Sequence, residues 1–217
     1  MLSHAEICVL CNTVYDNPNV IEGNSKALVF EQDGFQYIVF AGTDNFLDVL
    51  EDAKAVPEFM QGLGHVHGGM MDYYFTIREK ALALAVESKL PKIIGGHSLG
   101  GAVALFCGWD FQRIMPVVEV VTFGCPRGFC SDSGAVYRAA GIKTTNYIHG
   151  RDLVPELPSF MHRPGDDIFF TGTGERLSHR EPMEFLFSEV KDRLGDHLLE
   201  GPEGYIECLR RLTSPPV

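Results

Sequence analysis

The stretch Lys92-Ile93-Ile94-Gly95-Gly96-His97-Ser98-Leu99-Gly100-Gly101-Ala102-Val103 decides the fold. Its first half is a short apolar run of the kind that forms a buried strand. Its second half opens a segment rich in small residues that reads as a helix over 99–113. The two meet at Gly96-His97-Ser98-Leu99-Gly100, a G-x-S-x-G spacing. A strand that turns this sharply into a helix needs glycine on both sides, because a Cβ there collides with neighbouring backbone. The turn is expected to hold Ser98 strained with its hydroxyl exposed, and the helix N-terminus directs positive dipole density at any negative charge developing beside it. Ser98 is therefore the candidate nucleophile. The plainer alternative, a glycine-rich turn with an incidental serine, does not explain why a strand leads in and a helix leads out.

Working outward, Ala27-Leu28-Val29-Phe30-Glu31 and Phe35-Gln36-Tyr37-Ile38-Val39-Phe40 are β-rich runs separated by Gln32-Asp33-Gly34, a hairpin signal. Residues 70–90 carry Tyr74, Ile77, Ala81, Leu84 and Ala85 at helical spacing and stop at Pro91. Two further strands are expected, at 117–123 and 143–149. Strands that alternate with helices pair in parallel through right-handed crossovers. The expectation is an α/β sandwich in which an antiparallel hairpin leads into a parallel centre. No repeat or linker divides the chain, so 1–217 is read as a single domain.

The 217 residues are 45% hydrophobic and 22% charged, which suits a globular enzyme, and the net charge of -11 repels phosphate backbones. Nucleic acid is an unlikely partner on that ground, whereas neutral or zwitterionic substrates remain open; the oligomeric state is not legible. The N-terminus has no basic stretch followed by an apolar one, and no apolar run approaches the length of a membrane span. A soluble chain is expected, cytoplasmic unless exported by another route. Six cysteines are present; in a chain this long they are read as reduced, with Cys8 and Cys11 as packing residues on one helical face. His65 and His67 form an H-x-H pair without a third ligand at fitting spacing, so no metal is expected.

A serine hydroxyl is a weak nucleophile at neutral pH and requires a base, with an acid to orient it. The blocks Phe40-Ala41-Gly42-Thr43, Asp48-Val49-Leu50-Glu51-Asp52, Val66-His67-Gly68-Gly69, Gly96 to Gly101, Thr122-Phe123-Gly124-Cys125-Pro126-Arg127 and Asp152-Leu153-Val154-Pro155-Glu156-Leu157-Pro158 resemble the class 3 lipase family in order and spacing, over about 27–205. The family's usual arginine before Gly42 is Ala41 here, and its usual serine before the Pro-Arg pair is Cys125. The resemblance implies an α/β-hydrolase fold, with a central mixed, mostly parallel sheet flanked by helices. It also implies a lipase or esterase that acts without a cofactor on small-molecule or lipid esters, with transient contact at a lipid interface.

Chain order in α/β-hydrolases is Ser, then Asp or Glu, then His. By resemblance Asp152 is the acid, and its position just after a predicted strand agrees with sites forming beyond the carboxyl ends of strands. Three histidines follow it. His162 resembles a non-catalytic segment before a strand, and His179, among Arg176, Arg180 and Glu181, reads as a solvated loop. His197, in Asp196-His197-Leu198-Leu199, resembles the family's Asp-His segment before its final helix and is taken as the base. Leu99, following the nucleophile, supplies one oxyanion N–H; Thr43 supplies the other by resemblance and can also cap a following helix. His97 is read as a packing or hydrogen-bonding residue, not a base. The amphipathic segment 44–55 is either a mobile lid, as in some family members, or a fixed helix. A phospholipase or acyltransferase using the same triad, or a binding module that has lost turnover, are the competing functions.

Overall fold

The computed structural model describes residues 1–43, 56–150, 152–178, 197–201 and 204–213. The segment 44–55, read above as lid or helix, and His179 lie outside them. Helix α1 (His4–Asp16) leads into strands β1 (Val20–Glu22), β2 (Ser25–Gln32) and β3 (Phe35–Phe40). A small antiparallel pair, β4 (Pro57–Met60) and β5 (Gly64–His67), precedes α2 (Gly68–Glu87), β6 (Lys92–His97) and α3 (Leu99–Gln112). Then come β7 (Val117–Phe123), α4 (Ser131–Ala139), β8 (Thr144–His149), β9 (Asp166–Phe170), β10 (Arg176–Leu177) and α5 (Tyr205–Thr213).

Eight strands form one sheet in the order β1-β2-β3-β6-β7-β8-β9-β10. The pairs from β3 through β9 are parallel, and the edges at β1-β2-β3 and β9-β10 are antiparallel. This is the mixed, mostly parallel sheet expected. The hairpin and the central strands fall where predicted; α2 stops earlier than predicted, at Glu87, because Ser88 takes extended backbone before Pro91.

Alternation along each strand divides the apolar side chains between two cores, as the two-residue period of a strand requires. Ile38, Phe40, Ile94 and Val120 point to the side covered by α2 and α3. Tyr37, Val39, Ile93 and Val121 point to the opposite side, where α1 and α5 pack. Cys8 and Cys11 are fully buried, unpaired thiols in that second core. Helix α1 is started by a capping box: the Ser3 hydroxyl accepts from the Glu6 N–H, and the Glu6 carboxylate accepts from the Ser3 N–H.

The register does the work of assembling a site. Phe40 of β3 pairs with Gly96 of β6, His97 with Phe123 of β7, and Phe123 with Tyr147 of β8. The carboxyl ends of four strands are thereby level, and the segments after them emerge side by side along one edge.

Candidate active site

Ser98 lies between β6 and α3 with φ +56° and ψ −130°. A non-glycine residue in this region costs on the order of 1–3 kcal/mol and persists only where its surroundings impose it. Here two backbone hydrogen bonds do so: the Ser98 N–H donates to Phe123 O at 2.9 Å, and its carbonyl accepts from the Gly101 N–H at 2.8 Å. The turn is so tight that a Cβ on Gly96 would lie 2.0 Å from Gly100 O.

The Ser98 hydroxyl makes no hydrogen bond among the described residues, although it stands where a helix cap usually bonds. It is also not exposed as expected, since Ser98 is only 2% accessible. The backbone of Gly42 comes so close that a Cβ on it would be 2.9 Å from Ser98 Cβ. Thr43 is the residue after Gly42 in the chain. Leu99 opens α3, so its N–H is one of the helix-start donors with no carbonyl a turn earlier.

Asp152, beyond the end of β8, is fully buried. Its Oδ2 accepts from His197 Nδ1 at 2.9 Å and from the Tyr205 hydroxyl at 2.7 Å, while Oδ1 accepts from the Val154 N–H at 2.9 Å. Burial alone would push this carboxyl up; the facing His197 and these three hydrogen bonds outweigh it and hold Asp152 below the usual carboxylate range. With Nδ1 donating to the carboxylate, the Nε2 edge of the His197 ring is the one that can take a proton.

Gly124, after β7, joins the two halves. Its φ of +59° suits glycine, and a Cβ there would fall 2.9 Å from His197 Cε1 and 3.0 Å from Asp152 Oδ2. The same turn begins at Phe123, whose carbonyl holds the Ser98 N–H. Serine, histidine and aspartate thus converge on the level strand ends.

Of the other histidines considered as base, His162 is exposed, with its backbone bridged to Phe129 on both sides at 2.8 and 3.0 Å. His65 pairs with Asp132 at 2.8 Å, and His67 caps α2 from a buried position. Sequence reasoning missed Tyr205, whose oxygen donates to Asp152 and accepts from the His149 N–H at 3.0 Å. Burial and the Asp152 charge push its hydroxyl pKa well up, so it remains a donor. The only signal for it is its place at the opening of the last helix. Tyr15 and the backbone of Gly42 are also drawn into the site, at 3.0 Å from each other.

A family model described as "Lipase (class 3)" matches residues 37–162, more than half of the chain. A lipase of Rhizomucor miehei is 29% identical over 175 residues, covering 73% of this chain and 46% of that protein. A lipase of Rhizopus niveus is 30% identical over 156 residues, covering 63% and 39%. The chain thus spans less than half the length of the curated relatives it matches. Among solved structures, the R. miehei triacylglyceride lipase superposes with a TM-score of 0.70 at 22% identity, covering 94% of each chain. Lipase II from Rhizopus niveus does so with 0.67 at 26% identity, covering 85% of this chain and 78% of that one. A triacylglycerol lipase whose catalytic centre is described as a serine protease triad gives 0.68 at 24%, covering 95% and 92%. These likenesses establish the α/β-hydrolase fold, and with the family match they establish that the chain belongs to the class 3 lipase family.

Proposed function

We propose that this chain is a serine carboxylic-ester hydrolase, a lipase or esterase, working through Ser98, His197 and Asp152. The observation that carries this reading is the 2.9 Å hydrogen bond from His197 Nδ1 to the buried Asp152, beside a serine whose φ is +56°. Ser98 Oγ attacks the ester carbonyl while His197 Nε2 takes its proton. The carbonyl oxygen becomes an oxyanion, held by the N–H groups of Leu99 and Thr43; a donor of this kind is worth about 3 kcal/mol of barrier. His197 then returns the proton to the departing alcohol, leaving an acyl group on Ser98. Water, deprotonated by the same imidazole, releases the acid and regenerates the serine.

A lipid ester is the substrate class best supported, since similar proteins are described as triacylglycerol lipases and as a mono- and diacylglycerol lipase of Malassezia globosa. Leu198, directly after His197 and 59% exposed, offers an apolar side chain for transient contact with a lipid interface. The test is labelling with a fluorophosphonate probe alongside turnover of p-nitrophenyl esters from acetate to palmitate. The wild-type chain is expected to label and to hydrolyse, and Ser98→Ala to do neither. A wild-type chain that stays unlabelled, or a Ser98→Ala variant labelled as strongly as wild type, overturns the reading.

A further inference from the structure

His97, next to the nucleophile, is only 6% exposed and engages both ring nitrogens. Its Nε2 lies 2.8 Å from the carbonyl oxygen of His197, and its Nδ1 lies 3.0 Å from the hydroxyl of Tyr15. A carbonyl can only accept, so the proton sits on Nε2 and Nδ1 is the acceptor, which makes the Tyr15 hydroxyl the donor to it. Burial, reinforced by His197 facing it, pushes the His97 imidazole down to about 3, so the ring stays neutral and the tautomer is fixed. The oxygen of Tyr15 in turn accepts from the Gly42 N–H at 3.0 Å. A directional chain therefore runs from Gly42 N–H to Tyr15 O–H, through the His97 imidazole, to the His197 carbonyl.

Each link spans distant sequence, separated by 27, 82 and 100 residues. Each also ends on backbone, or on a ring, adjoining a different part of the site. Gly42 precedes Thr43 and leaves no room for a Cβ against Ser98; His97 precedes Ser98; the His197 carbonyl belongs to the proposed base itself. The His97 ring also faces the His197 ring, with centroids 4.7 Å apart and planes at 31°.

We propose that Tyr15 and His97 are positioning residues: their hydrogen-bonded chain sets the mutual spacing of the oxyanion backbone, the nucleophile turn and the base. Neither touches the ester. The proposal rests on the hydrolase reading above, because spacing matters to rate only where these three groups react together. Misplacing reacting groups by about an ångström can cost on the order of a hundredfold in rate, so loosening one end of such a chain falls on kcat before it falls on binding. A role in packing alone would need ring volume only.

The test measures kcat, KM and Tm of the whole chain on a short soluble p-nitrophenyl ester. Tyr15→Phe keeps the ring and deletes the oxygen that serves both bonds; kcat is expected to fall about tenfold with KM within about twofold. His97→Gln keeps a side-chain N–H able to reach the His197 carbonyl, and His97→Leu does not. The Gln variant is expected to retain about five times more kcat than the Leu variant at matched Tm. The proposal is overturned if Tyr15→Phe is within twofold of wild type, or if the Gln and Leu variants are equally slow. If wild type neither turns over nor labels, the hydrolase reading has failed, and the positioning role with it; an active wild type matched by its variants sinks the positioning role alone. Exchange of the Gly42 amide with deuterium, faster in Tyr15→Phe than in wild type, reports the broken link without reference to activity.

Discussion

The proposed nucleophile and the proposed base are held in place by different means. Around Ser98 the geometry is mostly local: β6, the turn and α3 are contiguous and the turn is tight backbone against backbone, as between Gly96 and Gly100, with one hydrogen bond reaching it from Phe123 of β7. Around His197 it is long-range. The imidazole is held by Asp152 and, through Asp152, by Tyr205, while the His97 side chain bonds the His197 carbonyl, across separations of 45, 53 and 100 residues. One half of the site is therefore built by sterics that a single short motif encodes, the other by polar side chains that only the completed sheet brings together.

That contrast can be broken from either side. Gly96→Ala places a methyl 2.0 Å from the Gly100 carbonyl, where no rotamer relieves the clash. Loss of the folded state is expected, scored by soluble yield and circular dichroism; a variant that folds with wild-type Tm would show that the turn is less constrained than its geometry says. Asp152→Asn attacks the other half. Under the proposed mechanism it leaves the fold standing and lowers kcat by about 10⁴-fold, because an amide no longer fixes the imidazole tautomer or steadies the imidazolium. A loss below tenfold counts against Asp152 as the acid.

The same variant carries a pH signature. Asp152 is held below its unfolded pKa, so the stability it contributes is full above about pH 4 and disappears as pH falls through its folded value. The Tm of wild type relative to Asp152→Asn should accordingly drop on acidification below about pH 4, and a constant difference would contradict it. Tyr205→Phe is the mildest of the three. It removes a hydrogen bond to the carboxylate, and about a tenfold loss in kcat with a Tm lower by a few degrees is expected. Unchanged kinetics would mean that Asp152 is held in place without the Tyr205 hydroxyl.

The same contrast explains what was legible. The hairpin, the central parallel strands and the Ser98 turn announce themselves through alternation, periodicity and glycine placement, all local signals. Helix α1 was read only through Cys8 and Cys11 on one helical face; the capping box of Ser3 and Glu6 that starts it, a pattern visible in the sequence, was not used. The base was ambiguous from residues alone because three histidines follow Asp152, and family resemblance was needed to choose His197. The hydrogen bonds of Tyr205, Tyr15 and His97 had no signature, since nothing in the spacing of residues 15, 97 and 197 indicates that their side chains meet. Ser98 was expected to be exposed because a motif cannot report that Gly42, arriving on another strand, lies against it.

The order of the parts along the chain has a consequence for synthesis. A ribosome extrudes the Ser98 turn with its surrounding strands well before His197 and Tyr205, and α5, which carries Tyr205, docks beside α1 in the second core. Throughout that interval the nascent chain has no His197 to set beside Ser98. Under the proposed mechanism, reactivity toward esters near the translating ribosome is thus withheld until α5 closes against α1.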